Sequence, residues 1–164
     1  SWSIKGTRYG ESLELSQQDT LVLLVNERYK LPENLYIDQD VFQLASSNMI
    51  APDIRVYSTD DTTPTLRVQF YTQEEKPVYD NMDFNWNYKN DTLRFDNYIK
   101  LAGQWRAQRV TLSLYLPENK KVLLPPQTSQ YLRNLRDFDW GVRSRLNKDK
   151  ILLIMQDGRL QPLM

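Results

Sequence analysis

The strongest constraint on this chain is an alternation of apolar and polar residues with a period of two. Leu66, Val68 and Phe70 alternate with Arg67 and Gln69; Phe84, Trp86 and Tyr88 alternate with Asn85 and Asn87; Val110, Leu112, Leu114 and Leu116 alternate with Thr111, Ser113 and Tyr115. Successive side chains of a strand point to opposite faces, so each run reads as a half-buried β-strand. Shorter strands are predicted over Leu13–Leu15, Thr20–Val25, Leu35–Asp38, Val41–Leu44, Ile54–Tyr57, Thr92–Phe95, Lys121–Leu124 and Ile151–Met155, each bounded by Asn, Asp, Pro or Ser. Turn signals lie between them at Pro32-Glu33-Asn34, Asp60-Asp61-Thr62, Lys89-Asn90-Asp91 and Pro117-Glu118-Asn119. Tyr88 to Thr92 reads as a hairpin.

Helix is expected in one short segment only, within 126–136. There Ser129 is placed to cap a turn with Tyr131, Leu132 and Leu135 on one side, and Arg133 and Arg136 near its C-terminal end, where cations suit the helix dipole. Gln73 to Val78 reads as a charged turn or loop. No Gly/Ser linker or low-complexity tract divides the chain, so residues 1–164 are expected to form a single all-β domain. Polar turns stand directly before apolar strands at Asp19-Thr20-Leu21, Asn34-Leu35, Asp91-Thr92-Leu93 and Lys150-Ile151-Leu152. That recurrence suits a solenoid-like stack of short strands or a two-sheet β-sandwich, and periodicity does not separate the two.

Composition narrows the chemistry. Lys plus Arg and Asp plus Glu both number 21, so no net field draws the chain to nucleic acid, and no nucleic-acid partner is expected. There is no His, which removes the usual general base and transition-metal ligand. Cys is also absent, which removes thiolate nucleophiles, disulfides and ordinary zinc sites. The longest apolar runs, Leu21 to Val25 and Ile151 to Met155, fall far short of the roughly 20 residues a spanning helix needs.

Three groups of residues carry candidate chemistry. Asp137 and Asp139, beside Trp140, put two carboxylates on one face if that stretch is extended, as do Asp38 and Asp40; both pairs also read as solvated acids. Trp86, Tyr88, Trp105, Arg106 and Trp140 form the candidate binding surface, because exposed aromatics stack on sugars or anchor interfaces and an arginine beside them adds a cation–π or anion contact. Phe84, Trp86 and Tyr88 equally read as the buried side of a strand. With no Gly-rich phosphate loop, nucleophile elbow or metal-ligand cluster in the sequence, no enzymatic activity, cofactor or metal is expected.

The run Asn90-Asp91-Thr92-Leu93-Arg94-Phe95-Asp96-Asn97-Tyr98-Ile99, then Trp105-Arg106-Ala107-Gln108-Arg109-Val110-Thr111-Leu112-Ser113-Leu114-Tyr115-Leu116-Pro117-Glu118-Asn119-Lys120-Lys121-Val122, resembles the toast-rack domain. This module is the C-terminal soluble part of Bacteroidetes PspC-type (phage shock protein C) membrane proteins, whose closing strand is similar to Met155-Gln156-Asp157-Gly158-Arg159-Leu160 here. Asp19-Thr20-Leu21 and Asn34-Leu35-Tyr36-Ile37 fit the order of its early strands. Asn119 stands where the family usually has Gly, and Asn is the residue best able to take its positive φ. Pro77 weakens a helix in a stretch that is charged and helix-like in relatives, and Leu124-Pro125-Pro126 replaces an acidic turn.

The resemblance implies an all-β, solenoid-like domain of the right-handed β-helix or toast-rack type, related to the solenoids of LiaF-type regulators and head-domain adhesins. It further implies a non-catalytic protein-interaction or sensory module of an envelope-stress regulator. Such a domain is tethered to the bacterial inner membrane by segments outside this chain, with the periplasmic side favoured over the cytoplasmic. A protein partner or self-association is then expected. The alternative is a secreted carbohydrate-binding or adhesive module with a glycan partner.

Overall fold

The computed structural model describes residues 2–4, 10–18, 20–29, 41–44, 47–71, 82–102, 108–129 and 149–163. Strands dominate them, in two sheets. The smaller has four strands, β2 (Gly10–Glu14), β6 (Asp53–Thr59), β7 (Thr65–Tyr71) and β11 (Arg109–Pro117), in the order β2-β7-β11-β6.

The larger contains β1 (Trp2–Ile4), β3 (Thr20–Asn26), β4 (Val41–Leu44), β5 (Ser47–Ile50), β8 (Met82–Lys89), β9 (Thr92–Asp96), β10 (Ile99–Ala102), β12 (Lys121–Leu124), β13 (Ile151–Gln156) and β14 (Arg159–Pro162). Its order is β14-β13-β12-β3-β9-β8-β10-β5-β4, with β1 also paired to β8.

The alternating runs do what their period requires. Leu66, Val68 and Phe70 of β7, Val110, Leu112, Leu114 and Leu116 of β11, and Ile54 of β6 point inward. They meet Leu21, Leu23, Val25, Phe84, Trp86, Leu93, Phe95, Val122 and Leu153 of the larger sheet in one hydrophobic cluster. Among the described residues three ladders are parallel: β6 with β11, β3 with β9, and β3 with β12. Parallel neighbours far apart in sequence are the stacked-rung feature of a solenoid, whereas two sheets enclosing one core is what the sandwich alternative describes; this all-β fold has both.

Turns fall where polar residues tolerate a left-handed backbone. The hairpin β8–β9 turns through Asn90 and Asp91 at φ 52° and 56°, and β13–β14 through Asp157 and Gly158 at 54° and 81°. Both are two-residue turns whose positive φ matches the strand twist. Asn119 takes φ 72° in the turn closed by the Lys120 N–H donating to the Pro117 carbonyl at 3.1 Å. Asn therefore supplies the left-handed residue that this turn needs, as the sequence implies.

The helical turn is α1 (Pro126–Ser129), within the expected segment 126–136, and the turn expected after Ser129 lies outside the described residues. Pro126 opens it, a position where the missing N–H is no loss. Thr128 is the residue of consequence: fully buried, its Oγ1 accepts from Val25 N–H at 2.9 Å and donates to the Leu23 carbonyl at 2.7 Å. Pairing of β12 with β3 ends at Leu123 opposite Val22. The chain then reaches Pro125 and Pro126, which have no N–H to give, and the Thr128 hydroxyl satisfies the next two backbone groups of β3. The expected strand Leu35–Asp38, the loop Gln73–Val78 and the residues Tyr131, Leu132, Arg133, Leu135 and Arg136 lie outside the described residues.

Candidate functional site

Of the aromatic surface expected from sequence, the structure describes two members and moves one of them, Trp86, into the core. Trp86 is 3% exposed and belongs to the core cluster, because it shares the apolar phase of β8 with Phe84. Tyr88 is half-buried against the same core, and its hydroxyl is engaged at both ends: it accepts from Ser16 N–H at 2.8 Å and donates to Asp91 Oδ1 at 3.2 Å. It thereby ties the β8–β9 turn to the crossing from β2 to β3. Burial above all pushes its phenol above the ordinary tyrosine range. Trp105, Arg106 and Trp140, like the carboxylate pairs Asp38/Asp40 and Asp137/Asp139, lie outside the described residues.

The exposed aromatic surface is elsewhere, on the outward face of the four-stranded sheet. Tyr57 of β6 and Tyr115 of β11 are cross-strand partners, with ring centroids 5.3 Å apart and planes inclined by 22°. Tyr57 is 41% exposed and Tyr71, at the end of β7, 56%. The neighbouring row reads Arg55, Ser113, Arg67 and Ser12 across β6, β11, β7 and β2. Arg55 and Arg67 are exposed while Ser113, between them in register, is buried. Arg55 Nε donates to Asp53 Oδ2 at 2.7 Å, and the Tyr57 oxygen, then Asp53, hold its guanidinium more firmly protonated than usual. At the far end Arg109 sits opposite Tyr71.

The sequence contains the signal that places these residues. Tyr115 alternates with Leu114 and Leu116, and Tyr57 with Val56, so both occupy the outward phase, whereas Trp86 occupies the inward one. Composition draws attention to tryptophan; the phase of the alternation identifies the exposed ring.

Two polar features flank the sheets. At the turn end, Gln17, Asp60, Asp61, Glu118 and Asn119 line an open cleft of ≈ 620 Å³. Lys120 lies in its wall, buried, with Nζ donating to the carbonyls of Ser16 (3.1 Å) and Gln18. At the other end, Arg28 grips Asp83 through both terminal nitrogens at 2.9 and 2.8 Å and reaches Asp96 at 3.1 Å. Asp96 is fully buried and also accepts from Asn85 N–H (2.8 Å) and Asn26 Nδ2 (3.2 Å). Asn97 completes this end: it accepts from Tyr29 N–H at 3.2 Å and donates to the Tyr29 carbonyl at 2.7 Å. This network holds the chain leaving β3 against β8 and β9, a structural role.

Among the described residues no group of three or more His, Cys, Asp or Glu is placed to hold a metal, and no helix is long and apolar enough to cross a membrane. A family model for a toast-rack at the C-terminus of PspC, described as "ToastRack found in some PspC", matches residues 36–161, more than half of the chain. No curated protein and no solved structure matches it.

Proposed function

The chain belongs to the toast-rack family found in some PspC proteins, and from that premise we propose that it is a non-catalytic protein-interaction or sensory module of a membrane-tethered, phage-shock-type envelope-stress regulator. The family match over residues 36–161 is the observation that carries this reading. The architecture supports it: a single core cluster fed by both sheets makes a rigid scaffold, and such scaffolds present binding groups with little loss of conformational freedom. On this reading the tether lies in segments other than these residues, and the module faces the periplasm.

The test exchanges residues 1–164, in the protein that carries them, for an unrelated folded domain and follows an envelope-stress reporter. Loss of the reporter response with unchanged protein level is the expected result; a response identical to wild type overturns the reading. A reporter fused after Met164 reads which side of the membrane the module faces, and cytoplasmic activity would reverse the periplasmic assignment.

One observation favours the second reading, a carbohydrate-binding or adhesive module: exposed Tyr57, stacked on the half-buried Tyr115, offers a stacking platform for a sugar ring. Glycan affinity that disappears in Tyr57→Ala, with the circular dichroism spectrum intact, would support it.

A further inference from the structure

We propose that the outward face of the four-stranded sheet, centred on Tyr57, Tyr115, Arg55 and Arg67, docks an extended acidic segment of a partner protein. This deepens the interaction-module reading and rests on it.

Charge is the first argument. The chain as a whole balances 21 basic against 21 acidic residues, yet this face carries Arg55, Arg67 and Arg109 and no lysine. Its acids are Asp53, already bonded to Arg55, and Glu14 on the outer strand β2. Among the described residues neither Arg67 nor Arg109 has an ion-pair partner. A guanidinium fork matches a carboxylate in a planar, two-bond geometry that an ammonium does not reproduce, so arginines alone mark a surface for carboxylates.

Spacing is the second. The Tyr57–Tyr115 row and the Arg55–Arg67 row are one alternation apart along the strands, a separation of about 6.4–6.8 Å. An extended peptide repeats its own same-face side chains at that interval. A segment laid along β6 and β11 therefore sets an acidic residue over the arginines while its next same-face side chain covers the tyrosine pair. A neutral glycan would meet the rings but leave Arg67 without counter-charge. Tyrosine and arginine are also the residues on which binding energy concentrates at protein interfaces, and the stack pre-orders both rings before a partner arrives.

The probe is a fluorescein-labelled synthetic peptide alternating Asp-Thr with Tyr-Thr, titrated against the 164-residue chain by anisotropy. Controls are the same peptide with Lys for Asp, an anionic polysaccharide, and phosphatidylglycerol vesicles. The acidic peptide should bind in preference to all three and weaken as salt rises. Affinity should fall about tenfold or more in Arg55→Glu/Arg67→Glu and in Tyr57→Ala. Both variants alter exposed side chains, and circular dichroism confirms the fold. Failure to bind, equal binding of the Lys peptide, preference for polysaccharide or vesicles, or unchanged affinity in the variants would each overturn the proposal. A stress reporter that needs residues 1–164 but ignores Arg55→Glu/Arg67→Glu would overturn this face while leaving the module reading in place.

Discussion

Replacing Thr128 with valine removes one hydroxyl and, with it, two hydrogen bonds that finish the parallel pairing of β3. The Thr128 side chain is fully buried, and its oxygen serves the Val25 N–H at 2.9 Å and the Leu23 carbonyl at 2.7 Å. Val25 and Leu23 are themselves buried, so water cannot stand in. Leaving a buried backbone group unpaired costs about 1–3 kcal/mol, and the extra methyl of valine returns only about 0.8 kcal/mol. The net loss should be about 2–4 kcal/mol, the carbonyl counting for less than the N–H because its second lone pair is less demanding. At about 2–4 °C per kcal/mol for a domain of this size, the midpoint of thermal unfolding falls by about 5–15 °C. Urea titration is the direct assay: the midpoint should drop with the slope unchanged, since neither sheet loses its core. Thr128→Ser keeps the oxygen and loses a methyl, so it should lose about 1 kcal/mol or less. A Thr128→Val protein within about 0.5 kcal/mol of wild type, the range of ordinary surface substitutions, would refute the bridging role.

Trp86→Ala should destabilise by about 3–5 kcal/mol as a large core truncation, read by urea titration; a variant as stable as wild type would return Trp86 to the surface. Asn119→Gly should be neutral or slightly stabilising, whereas Asn119→Val should lose about 1–2 kcal/mol because a β-branched residue resists the φ of 72° there. Burial raises the phenols of Tyr29 and Tyr88 above 10.0, so the folded state favours the protonated form. Their contribution is therefore complete below about pH 10 and lost as pH climbs through the raised value; urea midpoints should hold from pH 8 to about 10 and then fall, less steeply in Tyr88→Phe. Arg28→Met strands the carboxylate of Asp96, which is fully buried, so it should cost about 3–5 kcal/mol, well beyond Asp83→Asn, whose group is partly solvated; equal losses would show that Asp96 does not depend on the arginine.

The strands and turns are legible because they depend on local chemistry. Alternation in 66–70, 84–88 and 110–116 marks β7, β8 and β11, and Asn-Asp, Asn119 and Asp-Gly mark turns that require a positive φ. One strand that the sequence does not announce is β5. Ser47–Ile50 contains Ser and Asn, poor strand formers, and lies between β4 and β10, whose pairing supplies what propensity does not. The helical turn falls within the expected 126–136 and starts at Pro126, since proline's fixed φ suits a first helical position as well as a loop.

The sequence by itself determined that this chain is all-β, which side of each long strand is apolar and where the backbone turns left-handed, since each follows from the sterics of a few adjacent residues. Its similarity to a toast-rack is likewise carried by strand-and-turn order. Only the tertiary structure decided that β3 runs between β9 and β12, that Tyr57 and Tyr115 meet across a parallel ladder, and that a threonine more than a hundred residues away completes the bonding of β3. Pairing between distant strands depends on which burial arrangement leaves fewest backbone groups unsatisfied over the whole molecule, and no local window contains that comparison.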